Sequence, residues 1–167
     1  MDRTLDSTVL HLVKTRLVKD YPAQINVCLE ALSDEQLWWR PNDQSNSVAN
    51  LVIHLAGSNR YYFDHVIGGQ PDQRHRDAEF AARGGHTRAS LQAFWAESIA
   101  ATERTLEALD PGRLMEQTDR SGKVTTVAQI LLHVSHHNAV HMGQIVFVAK
   151  QLNPVAIDDI WRKLRTK

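Results

Sequence analysis

The sequence predicts an all-α protein built as a four-helix bundle. Apolar residues recur at helical spacing along four long segments, and turn-forming residues separate those segments without any alternating run of the kind a half-buried strand needs. Length is the third observation, because residues 1–167 suffice for a single domain with a substantial core and leave little room for a second.

The first segment, Leu5 to Leu32, places Leu10, Val13, Leu17, Ile25, Leu29 and Leu32 on one face. Pro22 removes a backbone donor in its middle, so a kink or a division into two helices is expected there. Ser33-Asp34-Glu35-Gln36 has the form of a capping box, in which a Ser hydroxyl and a Gln amide satisfy each other's exposed backbone donors, and it opens a short helix through Trp39, before Pro41. Asn46 or Ser47 caps the second long helix, which carries Val48, Leu51, Val52, Leu55, Tyr62 and Val66 on one face until Gly68-Gly69 stops it. Residues 68–86, rich in Gly, Arg and charge, read as a loop long enough to border a site. The third helix runs from Arg88 to Leu109 behind a Thr87 cap, with Leu91, Trp95, Ile99, Thr102 and Leu106 facing inward. After Asp110-Pro111-Gly112 and a turn at Ser121-Gly122, a second capping box at Thr126 and Gln129 opens the fourth helix, Val127 to Leu152, which Asn153-Pro154 ends. Asp158 to Lys167 add at most a final helical turn.

With 43% hydrophobic and 23% charged residues, no stretch approaches the roughly 18 uninterrupted apolar residues of a membrane span. Lys plus Arg equals Asp plus Glu at 19 each, so the charge balance offers no electrostatic reason for a nucleic-acid or membrane partner. Met1-Asp2-Arg3-Thr4-Leu5-Asp6 lacks the basic-then-apolar form of an export signal, and the single Cys28 has no partner for an internal disulfide; both features predict a cytoplasmic protein. On a helix rich in aliphatic residues, Cys28 reads as a buried, inert thiol.

The compositional excess is histidine, nine in all, and His133, His136, His137 and His141 lie together on the fourth helix. Stepping about 100° per residue, Val127, Ile130, Leu131, Val134, Asn138, Ile145, Val148 and Leu152 define a core-facing stripe with His141 inside it and His137 at its margin. His133 falls further round, and His136 points nearly opposite. A pair at i, i+4 stacks two imidazoles one turn apart, close enough to meet one ion at Zn–N distances of about 2.0 to 2.1 Å. The third ligand must come from a neighbouring helix, and His54, on the flank of its own stripe, is the candidate. His65 lies about 16 Å further along the same helix and cannot reach the same ion. No HExxH and no bundle-type ExxH motif is present, which argues against a metalloprotease and a di-iron protein. Spacing alone also leaves open an ordinary core in which these histidines only hydrogen-bond their neighbours, since HxxxH is a short pattern.

Two stretches carry a family resemblance. Asn46-Ser47-Val48-Ala49-Asn50-Leu51-Val52-Ile53-His54-Leu55-Ala56-Gly57-Ser58-Asn59, following Leu32 to Pro41, and His137-Asn138-Ala139-Val140-His141-Met142-Gly143-Gln144-Ile145 resemble the two signatures of DinB/YfiT-like proteins, in order and over nearly the whole chain. The resemblance implies a four-helix bundle, often dimeric, with one divalent metal, zinc or nickel before iron, on His54, His137 and His141. Many relatives carry Arg where this chain has Met142, so any role of that Arg does not transfer. Members with known chemistry include thiol-dependent S-transferases and an isomerase, all using low-molecular-weight thiols. The resemblance therefore implies a metal-dependent enzyme acting on a small-molecule substrate, with thiol activation as the leading chemistry and metal-dependent hydrolysis as the alternative. Three neutral imidazoles leave an ion its full charge and an open position, as in catalytic sites. Tyr61, Tyr62, His133 and the Arg-rich loop are candidate contributors. The remaining alternative is a non-enzymatic interaction protein with a structural metal: Leu132, Ala139, Val140, Gly143, Val146 and Phe147 form a second apolar strip that predicts a homodimer.

Overall fold

A computed structural model describes residues 4–158 and 160. Helices α1 (Leu5–Thr15) and α2 (Tyr21–Ala31) are joined by a π-type stretch, Arg16–Asp20, and followed by α3 (Asp34–Trp38) and α4 (Val48–Arg60), which continues as a second π-type stretch, Tyr61–Ile67. A short α5 (Arg76–Ala81) and the long α6 (Arg88–Ala108) come next, then a hairpin of β1 (Gln117–Arg120) and β2 (Lys123–Thr126), the 26-residue α7 (Val127–Leu152) and α8 (Pro154–Ile157). The expected four-helix bundle is present: α2 packs on α7 and α6, and α4 packs on the same two helices from the other side. The expectation for Asp158 to Lys167 falls largely outside the described residues. No helix among the described residues is long and apolar enough to cross a membrane.

Local chemistry accounts for most helix starts. Ser33 with Gln36, Ser47 with Asn50, and Thr126 with Gln129 all form reciprocal capping boxes, and Thr87 accepts from the Ser90 backbone N–H. At Pro22 the interruption takes the form of a widened turn rather than a break. The Tyr21 N–H reaches back five residues to the Arg16 carbonyl, and Pro22, which has no N–H to offer, falls in the first turn of α2.

The core has two parts. One is built by α2, the first half of α4, the first half of α6 and the second half of α7, around Ile25, Leu29, Leu55, Trp95 and Ile145. The other uses α1, the far ends of α4 and α6 and the first half of α7, around Leu17, Phe63, Leu106 and Leu131. Hence α7 runs opposite to α4 and α6. Between the two parts Asn59 and Asn138, both buried, face each other, the Asn138 amide donating to Asn59 Oδ1 at 2.9 Å and to the Val134 carbonyl at 2.9 Å. An unpaired amide here would cost about 1–3 kcal/mol, so the pair fixes how α4 and α7 line up.

Three readings from sequence need correction. Residues 68–86 are not a plain loop, because they contain α5. Its six residues have no side-chain cap of their own; Asn50 of α4 instead donates to the Glu79 and Ala82 carbonyls at 2.9 and 3.0 Å, so the helix depends on a distant partner. The hairpin was not expected, because its strands, QTDR and KVTT, are short and mostly polar, without apolar alternation. The Ser121-Gly122 turn joins them with φ of 50° and 81°, as a type I′ hairpin requires. Finally, the inward stripe of α7 includes Met142, 8% exposed, and leaves His141 at its margin beside His137. The stripe is centred slightly further round than the wheel suggested, which turns both histidines toward α4.

Candidate metal centre

The structure brings His54, His137 and His141 together. One nitrogen from each lies within 4.8 Å of the others, and the ring centroids are 4.5 to 5.0 Å apart. The pair on α7 is a consequence of helical spacing; His54 joins it because the Asn59–Asn138 contact sets the two helices at this height. His65 stays apart, its Nδ1 2.6 Å from the Gln70 carbonyl, and His136 is exposed.

The tautomers follow from the neighbours. His54 Nδ1 lies 2.8 Å from Glu79 Oε2, an acceptor only, so Nδ1 bears a proton and in the neutral ring Nε2 is the nitrogen with the lone pair. His141 Nδ1 likewise faces Gln144 Oε1 at 2.7 Å, the amide being read with its oxygen toward the ring. Arg74 Nη2 also comes within 3.2 Å of His54 Nδ1, but the shorter contact to the carboxylate decides the proton's place. His137 Nδ1 is buried with no hydrogen-bond partner among the described residues, while its Nε2 lies 3.0 Å from His54 Nε2. Two imidazole nitrogens so close either share one proton or share one cation. Burial, followed by the nearby His141, His54 and His133 and by Arg74, pushes the His137 pKa down to about 3. Burial also lowers His141, against the hydrogen bond to Gln144. Both rings are therefore neutral near pH 7, the state a metal ligand needs. Donor type, protonation and the paired nitrogens all fit one divalent ion on the three rings.

Behind His54 stands a support that the sequence did not reveal. Glu79, its side chain 7% exposed, takes two hydrogen bonds from Arg74, at 2.7 and 2.9 Å, as well as the one from His54. Burial alone would raise the Glu79 pKa, but the hydrogen bonds from Arg74 and His54 outweigh it and hold the carboxyl below its ordinary range. A carboxylate on the far nitrogen of a ligating histidine fixes the ring's orientation and raises its basicity. Gly57 makes room for it: a Cβ there would collide with Glu79 Oε1. That glycine, three residues after His54 in the middle of a helix, was the one signal in the sequence, since a helical Gly costs about 1 kcal/mol against Ala and marks close approach.

The cluster opens on a cavity of about 780 Å³ whose wall includes Tyr61, Tyr62, His133, Arg74, Arg76 and Arg120. Tyr61, Tyr62, His133 and, from the Arg-rich segment, Arg74 and Arg76 thus line the cavity, and the hairpin adds Arg120. The π-type stretch carries the two tyrosines to the wall, and the Tyr61 hydroxyl meets the Ser121 hydroxyl of the hairpin turn at 2.6 Å. A second cavity of about 630 Å³, lined by Asp64, His65 and Phe94 among others, adjoins the first and shares Tyr61, Asp72 and Arg74 with it. Cys28 takes no part: it lies in the core, and burial pushes its thiol up to about 12.

Solved structures share this architecture. A DinB-like protein of Bacillus subtilis, YjoA, superposes with a TM-score of 0.66 at 18% identity, over 84% of this chain and 91% of that one. A conserved protein of Enterococcus faecalis also gives a TM-score of 0.66, at 17% identity, over 84% of this chain and 94% of that one. At such identities the likeness shows the fold. No curated protein matches the chain. The model of the DUF1572 family, described as proteins of unknown function, matches residues 6–165, so the chain belongs to the DUF1572 family and has the DinB-like fold.

Proposed function

We propose that this protein is a metal-dependent enzyme in which His54, His137 and His141 hold one divalent ion, zinc or nickel, and which transfers a small thiol to a second small-molecule substrate. The observation that carries the reading is the convergence of three imidazoles at a cavity, one of them backed by a buried carboxylate, because such support serves orientation more than stability. A buried ion pair like Arg74–Glu79 seldom adds net stability, its Coulomb gain being offset by desolvation. When bound, the ion would lower the pKa of a thiol or water beside it and so supply a nucleophile near neutral pH. Around it Glu79 and Arg74 keep His54 aimed, and Tyr61 and Tyr62 offer hydroxyls on the cavity wall. A transferase needs room for two substrates, and the adjoining second cavity favours transfer over hydrolysis.

The test uses cobalt-substituted protein titrated with small thiols such as 2-mercaptoethanol. Thiolate ligation brings a new charge-transfer band and a shift of the visible bands; unchanged spectra through millimolar thiol would remove the thiol from the mechanism.

The apolar strip on α7 supports a homodimer as the working form. Leu132, Val140 and Phe147 are 58%, 47% and 66% exposed, and among the described residues nothing beyond the helix's own backbone comes within 4 Å of where a Gly143 side chain would begin. Val146 is the exception, packing partly on the core of its own chain. Sedimentation of the wild type at micromolar concentration is expected to give a dimer and Phe147→Glu a monomer. A monomeric wild type would refute the pairing.

A further inference from the structure

Two arginines of the histidine cavity are in no ion pair with a carboxylate among the described residues. Arg76, the first residue of α5, lies over the Phe80 ring at 5.0 Å, and that ring is 4.5 Å from the His54 ring. Arg120, the last residue of β1, lies over the Tyr62 ring at 5.0 Å; Tyr62 is 5.3 Å from His133, which stacks on His137 at 6.0 Å. Each guanidinium is thus separated from the histidine cluster only by aromatic rings in mutual contact. The remaining charges on this wall are already engaged. Arg74 is bound to Glu79, and Asp72 accepts the Arg74 backbone N–H at 2.9 Å. Three guanidinium groups therefore line the cavity with one carboxylate, Asp72, while Glu79 stands behind His54, and no ion pair among the described residues involves Arg76 or Arg120.

Placement on rings matters to what these groups can do. Arg120 also hydrogen-bonds the Tyr62 side chain, which steadies it at the wall, and a guanidinium's five N–H donors leave it, like Arg76, others whose fork matches the paired oxygens of a carboxylate or of a tetrahedral oxyanion. Arg120 is half-buried, which strengthens such a bond relative to one on an open surface, whereas Arg76 is exposed at the rim. The hairpin has little apolar packing of its own to explain why it is held here, yet Tyr61 meets Ser121 and Thr118 donates to the Val66 carbonyl at 3.3 Å, and these contacts bring Arg120 to the wall.

We propose that the substrate of this cavity carries an oxyanionic group, and that Arg76 and Arg120 hold that group beside the histidine cluster. The proposal deepens the reading of the cavity as a substrate site, and it requires neither the thiol nor any particular metal.

The experiment is calorimetric titration of the full chain, metal-loaded and chelator-treated, at low ionic strength. The probes are sulfate, succinate and succinamide, the last a neutral analogue of succinate. Saturable binding of at least one anion, weakened by added salt, and no binding of succinamide are expected. Arg76→Gln and Arg120→Gln should each weaken the anion about ten-fold or more, the usual scale for a lost charged hydrogen bond. Arg113→Gln, an exposed arginine paired with Glu116 away from the cavity, should leave binding unchanged. A preference for succinate identifies a carboxylate substrate; a preference for sulfate identifies a tetrahedral oxyanion. Wild-type protein that ignores both anions, or arginine variants that bind them as well as wild type, would overturn the proposal. Elemental analysis of the same samples keeps the two readings apart. Arginine-dependent anion binding in a chain that takes up no metal sinks only the metal reading, and full metal content without anion binding sinks only this one.

Discussion

Tag-free wild-type protein is expected to carry about one divalent ion per chain by elemental mass spectrometry, and His137→Ala and His54→Ala to carry almost none after the same purification. The expected effect is large because each ring would supply one of only three protein ligands, and two imidazoles from one helix do not make a site. His137 is the most informative position. Its Nδ1 is buried with no hydrogen-bond partner among the described residues and its Nε2 is 3.0 Å from His54 Nε2, so its surroundings suit a shared cation better than an ordinary hydrogen bond. The substitution should leave the fold intact. Both core clusters are built from other residues, and circular dichroism with thermal melting of the metal-free wild type should show a cooperative, helical protein. If chelation instead unfolds the chain, the ion braces the bundle and the enzyme reading loses its ground. If no ion binds even after reconstitution, the three rings are a hydrogen-bonded core cluster.

The second large effect concerns the support of His54. Glu79→Ala removes the acceptor of the Nδ1–H and leaves Arg74 without its partner, so metal affinity should fall about 10–100-fold, the range for loss of such an outer contact. Gly57→Ala should act in the same direction without removing a polar group, because its new Cβ collides with Glu79 Oε1 and the carboxylate has to shift. Helix propensity acts in the opposite sense, Ala being about 1 kcal/mol better than Gly inside a helix. A steric cause therefore predicts a weakened site in a helix that is no worse formed. The double variant decides the matter: with Glu79 already truncated, Gly57→Ala has nothing left to displace, and its affinity should equal that of Glu79→Ala alone. Competition with a chelating dye gives all four affinities. Normal affinity in Gly57→Ala would show that Glu79 does not orient His54.

How much of this was legible before folding depends on the range over which each feature is determined. The capping boxes at Ser33 and Thr126, a cap before Val48, the extent of α7 and the i, i+4 spacing of His137 and His141 are all set within one or two helical turns, and a short window of sequence contains their cause; that Ser47 and Asn50 form a third box appears only in the structure. The inclusion of His54 rested on its place beside an apolar stripe and on the family resemblance. Its actual meeting with His137, 83 residues away, depends on α4 and α7 running in opposite directions and on the buried Asn59–Asn138 pair that aligns them.

The rest was decided by tertiary structure alone. Helix α5 has neither cap nor apolar stripe, and it forms where Asn50 of α4 can satisfy its carbonyls; only then does Glu79 arrive behind His54. The hairpin has no apolar alternation, so nothing in its own residues announces it, and Arg120 reaches the cavity through contacts with the π-type end of α4. Local periodicity thus determined the bundle and one edge of the metal site. The groups that surround the site come from segments without periodicity, whose positions are fixed by hydrogen bonds and ring contacts to distant helices.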